Sequence, residues 1–151
     1  MNSTNPLNAA SAVPRGNVEP ILNEVAHALD RLVTLNEPTV IDLARLPFSP
    51  GELEKLEEEL GEGELNARLD SLGESIIRET AFPGVWWLEH RNAAGEIVGR
   101  FVEVTYSPDI LRSQDVDISA GRGVLREKIN RLHETQADRL DLPANHRETV
   151  S

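Results

Sequence analysis

The sequence contains no cysteine among its 151 residues. Composition therefore excludes disulfide bonds, zinc–thiolate sites, cysteine-ligated iron–sulfur clusters and thiol nucleophiles. Basic residues are also scarce, because 15 Lys and Arg stand against 26 Asp and Glu and give a formal net charge of −11. Such a surface repels nucleic-acid phosphates and anionic lipids, so we expect neither nucleic acid nor a membrane as partner. A basic protein segment is the partner that this charge favours.

Long apolar runs are missing as well, since none approaches the ~20 residues that a membrane-spanning helix needs. The first residues lack the basic start and apolar run of a secretory signal, so we expect a cytoplasmic protein. Residues 1–16 are small and polar and are predicted to form a disordered tail. We predict a single domain over residues 17–136 and a flexible tail over residues 137–151.

Helical periodicity predicts three helices. Apolar residues recur at helical spacing from Val18 to Val33, and Asn17 can cap this first helix. Ser49, followed three residues later by Glu52, forms a capping box for the second helix. The third is predicted from residue 119 to about residue 136.

Short apolar and β-branched segments predict the strands. One lies at residues 39–43, before the second predicted helix. Four more follow it with short connections, at residues 65–69, 75–80, 85–90 and 97–106. Consecutive strands with short turns form an antiparallel meander. We therefore predict an α+β fold, in which helices pack on one face of a four- to five-stranded antiparallel meander sheet.

No arrangement of residue types predicts catalysis. The histidines are spread over three predicted elements and a tail, and none has metalloprotease spacing: His27, His90, His133 and His146. No Gly-x-Ser-x-Gly nucleophile elbow occurs. Glu79 and Glu103 could face each other across the sheet, but a solvent-facing row is the favoured interpretation. We expect no enzymatic activity, no cofactor and no bound metal.

The tryptophans are concentrated in one segment, residues 80–87. Neighbouring strand residues point to opposite faces, so Trp86 and Trp87 cannot enter the same core. One should pack beneath the helices. The other should either meet solvent, an edge or a partner, or pack under a tail or loop. Pro83-Gly84, between two predicted strands, favours a tight turn that fixes their register.

Three blocks of sequence resemble the conserved region of HupH/HyaF-type hydrogenase expression proteins. They are Leu-Gly-Glu-Gly-Glu-Leu at 60–65, Ile-Arg-Glu-Thr-Ala-Phe-Pro-Gly-Val-Trp at 77–86 and Phe-Val-Glu-Val-Thr-Tyr-Ser-Pro at 101–108. The Glu-Thr-x-x-Pro-Gly-Val-Trp stretch is the most specific, and the resemblance spans roughly residues 39–112.

The resemblance implies an accessory role in making [NiFe]-hydrogenase. Family members act as maturation factors or chaperones on a hydrogenase subunit, and the iron–sulfur small subunit is the client that we expect. Other maturation factors are further expected partners. Typical members are longer and hold two related copies of this region, so a homodimer that restores a pair remains open.

We predict that the partner is bound by residues of the second and third blocks. The candidates for partner binding are Glu79, Thr80, Phe82, Pro83, Gly84, Trp86, Trp87 and Glu103. Two alternatives to a client-binding chaperone stay open. One is a nickel-handling accessory protein, and the other is a structural subunit that remains bound to the mature hydrogenase.

Overall fold

A computed structural model describes residues 16–143. The chain divides after Pro108 into two compact units. Most of the predicted N-terminal tail, the end of the C-terminal tail and His146 lie outside the described residues. The helices and strands are α1 (Val18–Leu35), β1 (Thr39–Asp42), α2 (Glu52–Leu60), β2 (Asn66–Ser71), β3 (Gly73–Glu79), β4 (Val85–Arg91), β5 (Ile97–Val104) and α3 (Asp115–Leu140).

The strands form one antiparallel sheet in the order β1-β5-β4-β3-β2. The last four strands are the predicted meander, and β1 joins its far side by pairing with β5. The prediction of an α+β fold with an antiparallel sheet is therefore confirmed. The edges of the sheet are β1 and β2.

The main core lies on one face of the sheet, beneath α1 and α2. The sheet contributes alternate residues of its central strands, among them Val85, Trp87 and Val102. Each helix contributes an apolar stripe of the predicted spacing, for example Ile21 and Val25 from α1. Burial of these stripes stabilises α1 and α2, since most of the stability of a helix in a protein comes from the packing of its apolar face.

The opposite face of the sheet carries a second group of buried side chains. Ile77 on β3 lies directly opposite Leu88 on β4, and Trp86 lies two residues before Leu88 on the same face. All three side chains are buried. Pro108, which follows β5, is buried as well. The sheet is therefore apolar on both faces near its centre.

The starts of α1 and α2 are tied to each other through Glu52. Its carboxylate accepts hydrogen bonds from the backbone N–H groups of Ser49 (2.7 Å) and Asn17 (3.1 Å). The hydrogen bond from the Ser49 N–H is the main cause that lowers the pKa of Glu52. Desolvation acts to raise the pKa, and the hydrogen bonds from Asn17 lower it further. One half of the predicted capping box is thus present. Asn17 does not cap α1 as expected, because its side chain donates to the carbonyl of Pro47 instead (2.7 Å).

The third helix, α3, begins four residues before its predicted start and ends four residues after its predicted end. The glycines at 121 and 123 do not interrupt it, because each costs only about 1 kcal/mol relative to alanine. Asp115 and Asp117 lie in its first turn, where negative charge favours the helix. In the described part of the chain, no helix is long and apolar enough to cross a membrane.

Candidate partner-binding site

The segment between β3 and β4 forms a tight turn, as predicted from Pro83-Gly84. The N–H of Val85 donates to the carbonyl of Phe82 at 3.0 Å and closes the turn. Gly84 has φ of +86°, a conformation that L side chains rarely adopt. Proline at the second position and glycine at the third are the residues that a type II turn requires.

We call residues 80–84 the Thr80–Gly84 turn. Thr80, at its start, is a buried polar residue. Its hydroxyl accepts from the N–H of Phe82 (3.2 Å) and lies 3.3 Å from the carbonyl of the same residue, to which it donates. Its own N–H donates to the carbonyl of Val85 (2.9 Å). The buried hydroxyl therefore has its hydrogen-bond partners within the turn, and these bonds stabilise the turn.

The first block of the resemblance packs against this turn. The N–H of Ala81 donates to the carbonyl of Leu60, the last residue of α2, at 2.9 Å. Glu79, the last residue of β3, is bonded on both sides, because it donates to Leu65 and accepts from Gly63 (2.8 Å each). The glycine-rich segment after α2 therefore runs beside the end of β3.

The third block reaches the turn from the other side. The N–H of Thr105 donates to the carbonyl of Gly84, and the indole Nε1 of Trp86 donates to the carbonyl of Thr105 (2.9 and 3.0 Å). Gly84 also lies against α1, because a Cβ at this position would come within 4 Å of the side chains of Leu29 and Leu32. All three blocks thus meet at the Thr80–Gly84 turn.

Both tryptophans are buried. Trp87 is 2% exposed and belongs to the core beneath α1 and α2. Trp86 lies on the opposite face and is 4% exposed, with its indole nitrogen bonded to Thr105. Of the two alternatives for the second tryptophan, exposure to solvent or a partner is wrong for the isolated chain. Trp86 therefore lies packed within the protein.

The accessible part of the predicted set is the tip of the turn. Phe82 is 47% exposed and Pro83 is exposed, whereas Gly84 is partly buried. Glu79 and Glu103 are partly buried and both pair with Trp86, one on each side. The two carboxylates therefore share a row with Trp86 between them and do not face each other directly.

Ionic contacts link α2 to the sheet through Arg78. This side chain, 18% exposed, pairs with Glu57 of α2 and, at 3.1 Å, with Glu62 of the following segment. The three acidic residues 57–59 on α2 therefore differ in their surroundings. Glu57 holds the helix to β3, while Glu58 and Glu59 are exposed.

A second ionic cluster lies on the helix-facing side of β4 and β5. Glu89 is bound by Arg91 (2.7 Å) and by Arg100 on the neighbouring strand (3.1 Å). Burial acts to raise the pKa of Glu89, but hydrogen bonds and charge from the two arginines outweigh it, so the pKa lies below its ordinary value. This cluster was not predicted. The sequence does contain one indication of it, because residues i and i+2 of a strand, such as Glu89 and Arg91, lie on the same face. The contact with Arg100 could be predicted only with the register of β4 and β5 in hand.

The arrangement of the described side chains gives little support for a metal site. Within residues 16–143, no three His, Asp or Glu side chains are grouped so that they could hold a metal ion. His90 lies against the ring of Phe101, and its Nδ1 is 2.8 Å from the hydroxyl of Ser75. These contacts give His90 a packing role on the face opposite the helices.

Comparison with known proteins identifies relatives of one kind. The model of a family described as "HupH hydrogenase expression protein, C-terminal conserved region" matches residues 16–132. "Hydrogenase expression/formation protein HoxQ" of Azotobacter vinelandii is 35% identical over 115 residues, which are 74% of this chain and 40% of that protein. "Hydrogenase expression/formation protein HupQ" of Azotobacter chroococcum is 37% identical over 60% of this chain and 32% of its own length. The chain thus spans two fifths or less of these relatives.

A solved structure shares the fold. The hydrogenase expression protein HupH from Thiobacillus denitrificans superposes with a TM-score of 0.73 at 43% sequence identity. The match covers 77% of this chain and 97% of that one. The resemblance inferred from the three blocks is therefore confirmed.

The positive φ of Gly84 gives a test of the turn. Gly84→Ala should lower the free energy of unfolding by about 1–2 kcal/mol, because alanine is strained in the left-handed region. The control is Gly121→Ala in α3, where a Cβ meets nothing within 4 Å. It should leave stability unchanged or raise it by up to about 1 kcal/mol. Urea denaturation followed by circular dichroism measures both, and equal losses would contradict this account of the turn.

The Glu89 cluster predicts a pH dependence of stability. A carboxylate whose pKa is lowered by folding stabilises fully above the ordinary value of 4.5, and the contribution is lost as the pH falls through the folded pKa. Glu89→Gln should therefore reduce stability at pH 7 and weaken its decline in acid. Glu74→Gln, which breaks the more exposed pair with Arg68, should change little. Denaturation at several pH values between about 7 and 3 compares them, and parallel curves for wild type and Glu89→Gln would refute the role of the cluster.

Proposed function

Because the chain belongs to the family of HupH hydrogenase expression proteins, we propose that it takes part in hydrogenase maturation by binding a client protein. The client is the iron–sulfur small subunit of a [NiFe]-hydrogenase in its unprocessed form, and the encounter takes place in the cytoplasm. The protein acts as a chaperone and catalyses no reaction. The observation that carries this proposal is the family match over residues 16–132, which contain the sheet and the Thr80–Gly84 turn.

The tip of the turn supports a binding role. Phe82 is a large aromatic side chain that is 47% exposed, on a backbone held by α2 on one side and β5 on the other. Aromatic residues, phenylalanine among them, are enriched at protein–protein interfaces. A rigid backbone presents such a side chain at little entropic cost. Phe82 is therefore the first contact that we propose for the client, with Pro83 beside it.

Charge supports a client with a basic segment. The protein carries a formal charge of −11, and exposed acids such as Glu58 and Glu59 lie on α2, close in sequence to the segment that packs against the turn. Opposite charges increase the rate of encounter and make binding depend on salt. A basic export signal on the small subunit has the complementary charge.

The role of Phe82 is tested with the purified, unprocessed small subunit. Phe82→Ala should weaken its binding roughly tenfold or more, as loss of an aromatic interface anchor does, without lowering the stability of the free protein. Leu72→Ala is the matched control, since Leu72 is 97% exposed at the β2–β3 turn. Calorimetric titration measures both affinities. Equal affinities for Phe82→Ala and wild type would remove Phe82 from the interface.

The charge argument is tested by the salt dependence of the same binding. Glu58→Gln with Glu59→Gln should weaken binding at low salt and reduce the dependence of log Kd on log salt concentration. Glu127→Gln with Glu134→Gln removes the same charge from exposed positions of α3 and serves as the control. If both pairs act alike, the effect is one of net charge, and α2 is not the contact surface.

A further inference from the structure

The outer side of β2 is an open edge of the sheet. β2 pairs with β3 alone, so one side of its backbone has no neighbouring strand. It runs for six residues without a proline or a bulge. The other edge, β1, has four residues and lies between Pro38 and a short 3₁₀ helix, Leu43–Arg45. β2 is therefore the longer and more regular of the two edges.

The pairing of β2 with β3 indicates which main-chain groups face outwards. The N–H of Glu79 donates to the carbonyl of Leu65, one residue beyond the pair of Asn66 and Arg78. Hydrogen-bonded and non-bonded pairs alternate along an antiparallel ladder. The N–H and C=O groups of residues 67 and 69 therefore point to β3, and those of residues 66, 68 and 70 point to the open edge. Within residues 16–143, no segment bonds to these outward groups.

Two side chains of opposite charge, Arg68 and Asp70, are exposed on this edge strand. Both lie on the helix-facing side of the sheet, because Asn66, two residues before Arg68, shares a cross-strand row with Trp87 of the core. Leu69, between the two charges, lies on the opposite face and is 37% exposed. The strand therefore presents charge on one face and an apolar side chain on the other.

Charged side chains on an edge strand often prevent its pairing with another chain. Arg68 contacts Glu74 of β3 at 2.6 Å, but 69% of its side chain stays exposed and can meet a second carboxylate. Whether the charges of β2 prevent or favour pairing therefore depends on what lies directly opposite them.

A second copy of β2, running antiparallel, meets these charges differently in each register. A register centred on Arg68 places the two arginines opposite each other, and one centred on Asp70 does the same with the carboxylates. Like charges directly opposite destabilise a strand pair. A register centred on Ala67 leaves Asp70 without a strand residue opposite it. When Leu69 lies on the two-fold axis, each Arg68 lies opposite Asp70 of the other copy.

The register centred on Leu69 also satisfies the main chain. Arg68 and Asp70 both direct their N–H and C=O groups outwards, so each pair can exchange both main-chain hydrogen bonds. The two Leu69 side chains then meet at a non-hydrogen-bonded position, where cross-strand side chains lie closest. Main-chain bonding, charge and apolar contact therefore all favour the same register.

We propose that the outer edge of β2 is a self-association surface, at which two copies of this chain pair antiparallel with Arg68 of each copy opposite Asp70 of the other. The sheet then continues across both copies. This inference goes beyond the proposed function and does not depend on it, because the purified protein alone is sufficient for the test.

Sedimentation equilibrium of the full chain tests the association at concentrations from about 10 μM to about 1 mM. Each copy carries a formal charge of −11, so the salt concentration is about 0.15 M, where charges more than about 8 Å apart are largely screened. The apparent mass should rise with concentration towards twice that of the chain. Arg68→Glu and Asp70→Arg should each weaken association roughly tenfold or more, because each sets like charges opposite in both pairs.

Arg45→Glu is the matched control. It makes the same change of charge as Arg68→Glu and also breaks an exposed ion pair, that with Asp42 beside β1. Because it lies at the other edge of the sheet, it should associate as wild type does. Circular dichroism of each variant checks that the fold is retained.

Exchanging the charges gives a rescue that a purely structural role of the two residues would not produce. Arg68→Glu combined with Asp70→Arg in one chain restores opposite charges in the same register, so association should return. The two single variants, each monomeric alone, should form a heterodimer when they are mixed, because every charged pair is then of opposite sign.

Amide hydrogen exchange followed by NMR gives an independent readout of the main chain. The amides of Arg68 and Asp70 should exchange more slowly as the protein concentration rises. The amides of Ala67 and Leu69, which point to β3, should be protected at every concentration.

Three results would overturn the inference and leave the proposed function untouched. The first is a monomer at every concentration. The second is association that Arg68→Glu does not weaken, which would place the contact on another surface. The third is protection of the Arg68 and Asp70 amides only after the unprocessed small subunit is added, which would make a segment of the client the occupant of the edge.

Discussion

The Thr80–Gly84 turn is the point at which three separate segments of the chain are hydrogen-bonded together. Ala81 bonds to the end of α2, and Gly84 bonds to Thr105 after β5. These bonds, with the pairing of β3 and β4, determine which face of the sheet each tryptophan occupies. A residue with a side chain at position 84 would have to adopt a strained backbone, so the glycine there supports the whole junction.

The same junction separates residues that hold the fold from residues that are free to meet a partner. Arg78 and Glu89 use their charges inside the molecule, the first to hold α2 and the second to join β4 to β5. Phe82 and the outer acids of α2 remain exposed. In the proposed function, a client approaches an acidic surface and is held by an aromatic side chain on a rigid turn.

Much of the fold could be predicted from the sequence, because period-two and period-3.6 patterns place the strands and the first two helices within a few residues. The Pro83-Gly84 turn was predictable because only certain residues suit its backbone. The burial of Trp86 could not be decided, since it depends on tertiary packing. The Glu89–Arg100 pair could be predicted only from the register of β4 and β5. The side chain of Asn17 donates to the carbonyl of Pro47 and does not cap its own helix, which the local sequence does not indicate. These are contacts between distant segments, which local patterns do not encode.

The central claim is that this protein binds a hydrogenase subunit before the enzyme is assembled. The most direct measurement is affinity purification of the tagged protein from its native host during hydrogenase expression, with mass spectrometry of the proteins that accompany it. The account predicts recovery of the unprocessed small subunit without the mature heterodimer. Recovery of the finished enzyme would indicate a structural subunit instead, and recovery of no hydrogenase component would contradict the account.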